Sequence, residues 1–93
     1  MAPHPPASDD AEVVGRVVDE RGEAVPDALV AIPAGTAAVP EIALLTDPAG
    51  RFALRLPPGR FTLSAHAEQG SGQVDVETRA GTRPGEVVIV IGR

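Results

Sequence analysis

The chain has 93 residues, of which 43% are hydrophobic, and a formal net charge of −5, which opposes binding to the phosphate backbone of nucleic acids. It contains no cysteine, which excludes disulfides, thiolate metal sites and cysteine nucleophiles and leaves the redox compartment open. Its aromatic residues are two phenylalanines, so the single core must rest on aliphatic side chains, and stacking on exposed bases is not supported.

Residues 1–11 form a proline-rich segment, MAPHPPASDDA, and predict a disordered leader or linker before a domain at residues 12–93. The segment lacks the basic and apolar regions of an export signal, and no apolar run approaches the ~20 residues that span a bilayer, so no membrane contact is expected. If Met1 is the natural start, we expect cytoplasmic residence; otherwise the compartment is open. Abundant Ala, Gly, Pro and Arg without lysine indicate a GC-rich, bacterial coding sequence.

Period-two alternation of apolar and polar residues predicts seven β-strands and no helix. In chain order the predicted strands are residues 13–18, 28–32, 42–45, 51–56, 60–67, 74–79 and 87–91. The segments between them are turns or loops at residues 19–22, 33–40, 47–50, 57–59, 69–72 and 81–85. Asp47, Pro48 and Gly50 are the residue types that a type I turn favours at its first, second and last positions. This spacing predicts an all-β, seven-stranded antiparallel Greek-key β-sandwich.

Alternate side chains of a strand lie on opposite faces, so each predicted strand divides its residues between core and solvent. The predicted core comprises Val13, Val17, Ala28, Val30, Ile32, Ile42, Leu44, Phe52, Leu54, Leu56, Phe61, Leu63, Ala65, Val74, Val76, Val87, Ile89 and Ile91. The outward residues of strands four to six are mostly polar, namely Arg51, Arg55, Arg60, Thr62, Ser64, His66, Glu68, Asp75, Glu77 and Arg79. Those of strands one, two and seven are apolar.

The apolar outward residues predict an interaction surface, because a contiguous exposed patch of several hundred Å² usually marks an interface. Its predicted members are Val14, Val18, Leu29, Val88 and Val90. The β-branched run at residues 87–91 would aggregate if left uncovered, which favours a protein partner or self-association. The alternative is that the last strand is apolar on both sides through β-propensity alone, or that the leader covers it.

Candidate catalytic and metal-binding residues are few. His66 lies beside Ser64 and Glu68, but an exposed polar strand accounts for it, because the other histidine, His4, is in the leader. Neither a zinc site nor a catalytic triad can be assembled from these residues, and the acidic residues do not follow the spacing of a calcium loop. The sequence therefore predicts no catalytic residue, no metal ligand and no cofactor.

Three arginines, Arg51, Arg55 and Arg60, would offer an anion- or carbohydrate-contacting surface if they lay together. Cross-strand pairing with acidic residues is the simpler explanation of these charges. Sugar-binding sandwiches also present exposed aromatic rings, and both phenylalanines are predicted to lie in the core, so carbohydrate binding is not favoured.

Three segments resemble those of a known family. They are VVGRVVD at residues 13–19, followed by Gly22 and by VPDA at residues 25–28, then TDPAGRF at residues 46–52, and LPPGRFTL at residues 56–63. From residue 13 to residue 91 the chain resembles the carboxypeptidase regulatory-like domains, which share the transthyretin-like, or prealbumin-like, Ig-like sandwich. Asp27 stands where that family usually has glycine. The resemblance implies a scaffold or interaction module without inherent activity.

We therefore expect a non-catalytic protein-interaction or scaffold module that acts through an apolar outer sheet face or an edge strand. Two alternatives remain open: a structural spacer within a larger protein, and a hydrolase of transthyretin-like fold with a site around His66, Arg55 and Glu68. Hydroxyisourate hydrolases resemble one another in a Tyr-Arg-Gly-Ser ending and placed histidines, whereas this chain has no tyrosine and ends Val-Ile-Gly-Arg.

Overall fold

A computed structural model describes residues 10–37, 43–80 and 84–92. Its strands are β1 (Ala11–Val18), β2 (Leu29–Gly35), β3 (Ala43–Leu45), β4 (Arg51–Leu56), β5 (Gly59–Ala67), β6 (Gly70–Thr78) and β7 (Val87–Val90). Among the described residues there is no helix that is long and apolar enough to cross a membrane. Residues 1–9 of the predicted leader (1–11) and the predicted core residue Ile42 lie outside the described residues. Ala11, also predicted in the leader, is instead the first residue of β1.

The strands form two sheets that pack face to face around the core. One sheet has three strands in the order β4-β1-β7, and the other has four in the order β3-β2-β5-β6. This arrangement confirms the predicted seven-stranded sandwich. In the described part of the chain every strand pairing is antiparallel except that of β1 with β7, which is parallel. Side-chain alternation carries no information on strand direction, which is why the parallel pair could not be predicted.

The core between the sheets is aliphatic apart from two phenyl rings. Of the predicted core residues, fourteen are buried, while Ile32, Leu44 and Val74 are partly buried and pack against them. The buried set comprises Val13, Val17, Ala28, Val30, Phe52, Leu54, Leu56, Phe61, Leu63, Ala65, Val76, Val87, Ile89 and Ile91. Ala11 and Val25 are also buried, although the strand pattern did not place them in the core. The inward prediction is therefore confirmed throughout the described strands.

Each phenyl ring packs over a glycine on the neighbouring strand. Gly15 of β1 pairs with Phe52 of β4, and Gly35 of β2 pairs with Phe61 of β5. A Cβ on Gly15 would lie 2.5 Å from the Cζ atom of Phe52, and a Cβ on Gly35 would overlap the ring of Phe61. The missing side chains leave room for the rings, a device that also protects the glycine backbone within a sheet.

Two predicted segments differ from the structure. The loop predicted from Pro33 onward begins later, because β2 continues to Gly35 through an irregularity in register between Ala31 and Ala34. Pro33 lies within this irregularity, where its missing amide hydrogen costs no ladder hydrogen bond. The turn predicted at residues 69–72 is also wrong, because Ala67 pairs with Gly70 and the hairpin between β5 and β6 closes in two residues.

The predicted turn at Asp47 is confirmed. Asp47 Oδ1 accepts hydrogen bonds from the amides of Ala49 and Arg51 at 2.9 and 2.8 Å, and Gly50 adopts a φ of 75°. The same arrangement of one carboxylate oxygen and two amides recurs at Asp19, which ends β1. Both turns therefore reverse the chain through side-chain hydrogen bonds to the backbone, as aspartate does in Asx turns.

Asp27 adopts a φ of 57°, which lies in the left-handed region where glycine is favoured. The turn that holds it is fixed by the buried Thr46. The Thr46 Oγ1 atom accepts a hydrogen bond from the Ala28 amide at 2.9 Å and donates one to the Val25 carbonyl at 2.7 Å. The Asp27 amide donates to the Thr46 carbonyl at 3.1 Å. The backbone at Asp27 is thus held in place from both sides.

We expect the substitution Asp27→Gly to raise the free energy of unfolding by about 0.5–1 kcal/mol. Removing Cβ relieves ~1–2 kcal/mol of strain in the left-handed conformation, and the greater conformational entropy of glycine in the unfolded chain offsets part of this gain. Asp27→Ala, which keeps Cβ but loses the polar group, is the matched control and should lower stability. Urea denaturation of both variants provides the measurement. A glycine variant no more stable than the alanine variant would contradict the assignment of strain.

Candidate interaction surface

The residues predicted to form one apolar surface lie on two different sheets. Val14 and Val18 are in β1, and Val88 and Val90 are in β7, all within the three-stranded sheet, whereas Leu29 is in β2 of the other sheet. The single surface predicted from the sequence is therefore wrong. Alternation assigns a residue to one face of its own strand, but it does not identify which strands share a sheet.

Val18 does not belong to an exposed surface, because it is 5% exposed. It forms an isolated antiparallel bridge with Ala24, so the chain returns alongside the end of β1 after the Asp19 turn. The Asp19 amide donates to the Glu23 carbonyl at 2.9 Å and closes this return. The prediction that Val18 faces solvent is wrong for this reason.

The outer face of the three-stranded sheet, which we call the three-strand face, carries charge between its apolar residues. Arg16 of β1 lies opposite Val88 on one side and Arg51 on the other. The Nε atom of Arg16 lies 3.5 Å from the Oε1 atom of Glu86. This buried Nε makes no hydrogen bond, so the contact with Glu86 is an ion pair only. Val14 is half-buried beside these charges. An apolar patch is thus interrupted on this face.

The outer face of the four-stranded sheet, which we call the four-strand face, carries a continuous apolar patch at its β3 edge. Leu29 of β2 pairs directly with Leu45 of β3, and Ala31 pairs with Ala43 in the next outward row. Leu29 is 40% exposed and Leu45 is 61% exposed. We call these four residues the leucine patch. No charged residue separates its members, in contrast to the three-strand face.

The leucine patch lies beside the edge of the four-stranded sheet, because β3 is the edge strand. The Thr46 amide donates to the Ala28 carbonyl at 3.0 Å, so the next hydrogen-bonded pair along the ladder is Leu44 with Val30. Antiparallel pairs alternate, which turns the backbone groups of Leu45 away from β2. No strand in the described part of the chain pairs with this side of β3. The leucine patch therefore adjoins peptide groups with which no described strand pairs.

The three arginines considered as an anion- or carbohydrate-contacting surface do not lie together. Arg51 and Arg55 are in β4, on the three-strand face, whereas Arg60 is in β5, on the four-strand face. Arg60 lies 3.7 Å, Nε to Oε2, from Glu77, which also lies within 3.9 Å of Arg79. The simpler interpretation, cross-strand pairing with acidic residues, is the one seen at Arg60. Such exposed pairs contribute little to stability.

Among the described residues, each outer face carries an open depression. The one on the four-strand face, about 490 Å³ in volume, is lined by apolar residues, among them Ala34, Phe61 and Val76, and by polar ones. The polar side chains already pair with one another, since Thr62 Oγ1 donates to Asp75 Oδ1 at 2.9 Å and Arg60 lies 3.7 Å from Glu77. The other, about 510 Å³, is on the three-strand face beside Arg51. Neither converges on the kind of nucleophile and base that catalysis requires.

The residues of the hydrolase alternative do not meet. His66 is exposed on the four-strand face, Glu68 lies in the hairpin after β5, and Arg55 is on the opposite outer surface of the sandwich. Within the described ranges no three His, Asp or Glu side chains come together as a metal site. The buried polar side chains found there, Thr46, Ser64 and Thr78, include Ser64, which the strand pattern had placed in solvent.

Two sheets, a small aliphatic core and turns set by Asp and Gly define the class of protein as a transthyretin-like, Ig-like β-sandwich. The chain belongs to the carboxypeptidase regulatory-like domain family, whose model matches residues 12–90. This is a family of non-catalytic modules, consistent with a scaffold role. A search of curated proteins found no match to the chain.

Sequence reasoning missed Leu45 as a surface residue. Leu44 and Leu45 are both apolar, so alternation identified an inward residue and left the second leucine without comment. The available signal was that Leu29 and Leu45 are apolar at outward positions of consecutive strands, which commonly pair. Leu29 and Leu45 are 40% and 61% exposed, similar to Val88 and Val90 at 39% and 52%. The leucines pair directly across two strands, whereas Val88 lies opposite the charged Arg16, so the leucine pair gives the stronger case for an interface.

Proposed function

We propose that the domain is a non-catalytic interaction module that binds an extended segment of a protein partner along β3 and over the leucine patch. The observation that carries this proposal is the direct pairing of Leu29 with Leu45, both exposed, beside a strand edge with which no described strand pairs. In strand addition, peptide hydrogen bonds supply affinity and alternate side chains supply specificity. Every second residue of the partner segment would then rest on the leucine patch.

The short length of β3 limits nonspecific pairing of other strands with its edge. Three described residues form β3, and short edge strands are one way in which sandwiches avoid aggregation. A partner that pairs with so short an edge needs a further source of affinity, because few peptide hydrogen bonds are on offer. Burial of Leu29 and Leu45 supplies it, at about 25 cal/mol for each Å² of apolar surface removed from water.

Site-specific photo-crosslinking tests the proposal in the cells that produce the full chain. A photoreactive residue replaces Leu45, and the matched control carries it in place of Val90, which is 52% exposed on the three-strand face. We expect a protein adduct from position 45 and none from position 90. Adducts from position 90 alone, equal adducts from both positions, or none from position 45 would contradict the proposal.

A second substitution separates binding from folding. Leu29→Glu should lower the adduct yield from position 45 by about tenfold or more, because docking would bury an unpaired carboxylate. Val88→Glu is the control of similar exposure and should leave that yield unchanged. Both substitutions lie on the surface, so we expect stability changes within about 0.5 kcal/mol, measured by thermal unfolding.

A spacer is the second candidate function, and a separate observation favours it. β1 and β7 are parallel neighbours, with Val18 beside Val90, so the strand that begins at Ala11 and the strand that ends at Val90 point in the same direction. Ala11 is seven positions before Val18 and Gly92 is two positions after Val90, so at ~3.3 Å per residue Ala11 and Gly92 lie about 30 Å apart. A folded unit with distant ends separates whatever is attached to it by a fixed length.

A further inference from the structure

The first and last strands of the sandwich meet in a geometry that resists pulling. β1 and β7 pair over four positions, from Gly15 with Val87 to Val18 with Val90. The Ile91 amide extends the pairing by donating to the Val18 carbonyl at 2.9 Å. Because the strands are parallel, force on the start of β1 and on the end of β7 draws them in opposite directions along their shared ladder.

We propose that the domain is a load-bearing connector, in which tension applied at both ends of the chain is carried in shear by the β1–β7 pairing; this inference rests on the spacer function proposed above. In shear, the hydrogen bonds of the ladder are loaded together and must fail together. When strands are peeled apart from one end, the bonds are loaded one after another. The parallel arrangement converts pulling along the chain into the first kind of loading.

The neighbours of β1 strengthen this arrangement. β1 also pairs with β4 over six positions, so β1 is held on both sides while it is pulled. Val13 and Val17 of β1 and Ile89 of β7 are fully buried between the sheets. Sliding β1 past β7 must drag these side chains through a close-packed core, where displaced methyl groups lose their contacts.

The end of β7 is joined to the other sheet as well. Gly92 donates its amide hydrogen to the Ser71 carbonyl at 3.0 Å and accepts a hydrogen bond from the Ser71 amide at 3.1 Å. Tension that arrives at Gly92 is therefore shared between β7 in the three-stranded sheet and β6 in the four-stranded sheet. The two sheets are coupled at the point where the load enters.

Single-molecule force measurements on the full chain test the inference, using two cysteine pairs as attachment points. The chain has no cysteine of its own, so each introduced pair is unique. Asp10→Cys with Gly92→Cys pulls from opposite ends and loads the β1–β7 pairing in shear. Asp10→Cys with Gly85→Cys pulls both strands from the same end, and a Cβ at Gly85 has no heavy atom within 4 Å. The second pair is therefore a matched control on the same fold.

At equal loading rates we expect the opposite-end pair to unfold at a force at least about twofold higher than the same-end pair, because several hydrogen bonds must break at once rather than singly. Thermal unfolding of both variants without load should coincide within error. Equal forces, or a higher force for the same-end pair, would overturn the load-bearing inference. The separation of the labelled ends, measured by fluorescence transfer on the Asp10→Cys and Gly92→Cys variant, tests the spacer function independently of force.

Discussion

Replacing Phe61 by alanine should lower the free energy of unfolding by about 3–5 kcal/mol, the range for truncating a buried phenylalanine. Phe61 is 2% exposed and is the largest fully buried side chain. A domain of this size has a total stability of only about 5–14 kcal/mol, so the loss is a large fraction of it. Urea denaturation measures the change. Phe61→Leu, which retains most of the volume, is the control and should cost much less.

Part of the stability lost in Phe61→Ala comes from the packing of the phenyl ring on Gly35, and a double-mutant cycle measures this part. Gly35 lies opposite Phe61, and a Cβ at Gly35 would overlap the phenyl ring. Gly35→Ala should therefore be destabilising in the native background and close to neutral when Phe61 is alanine. Directly contacting residues show coupling energies of about 0.5–3 kcal/mol. Independent, additive effects of the two substitutions would contradict the account of the ring packed on glycine.

Local chemistry accounts for the part of the fold that was predictable. The Asp47 turn depends on residues within five positions of one another, and the inward direction of Phe52 and Phe61 depends on alternation within single strands. Both signals are contained in short segments, so both were readable without knowledge of the neighbouring strands. The family resemblance rests on the same turns and core positions, which is why it predicted the sandwich correctly.

The surface was not predictable to the same degree, because it depends on which strands share a sheet. Leu29 and Val14 are both outward residues of apolar strands, yet they lie on opposite outer faces. Arg55 and His66 also lie on opposite outer faces, so the site around His66, Arg55 and Glu68 that the hydrolase alternative requires is not formed. The pairing of Leu29 with Leu45 emerges only from the register between β2 and β3. Register is a property of two strands together, and neither strand encodes it alone.

Gly72 was predicted to lie in a turn, but it lies within β6, where its backbone packs against the end of β7. A Cβ at Gly72 would overlap the carbonyl oxygen of Val90 and lie 2.9 Å from its carbonyl carbon. The neighbouring Ser71 exchanges two hydrogen bonds with Gly92. Glycine at this position therefore allows the backbones of the two sheets to meet where the sandwich closes.

We expect Gly72→Ala to lower the free energy of unfolding by about 2–3 kcal/mol, because the methyl group meets backbone that cannot rotate aside, unlike a side chain. Hydrogen exchange at the Ser71 and Gly92 amides should also accelerate, since separating the strands breaks the bridge between them. Gly85→Ala is the matched control: a Cβ there meets nothing within 4 Å, so it should be neutral or slightly stabilising. If both alanine variants denature at the same urea concentration, β6 and the end of β7 do not pack as closely at Gly72 as the structure places them. The contact through which tension would pass from Gly92 into the four-stranded sheet would then be absent.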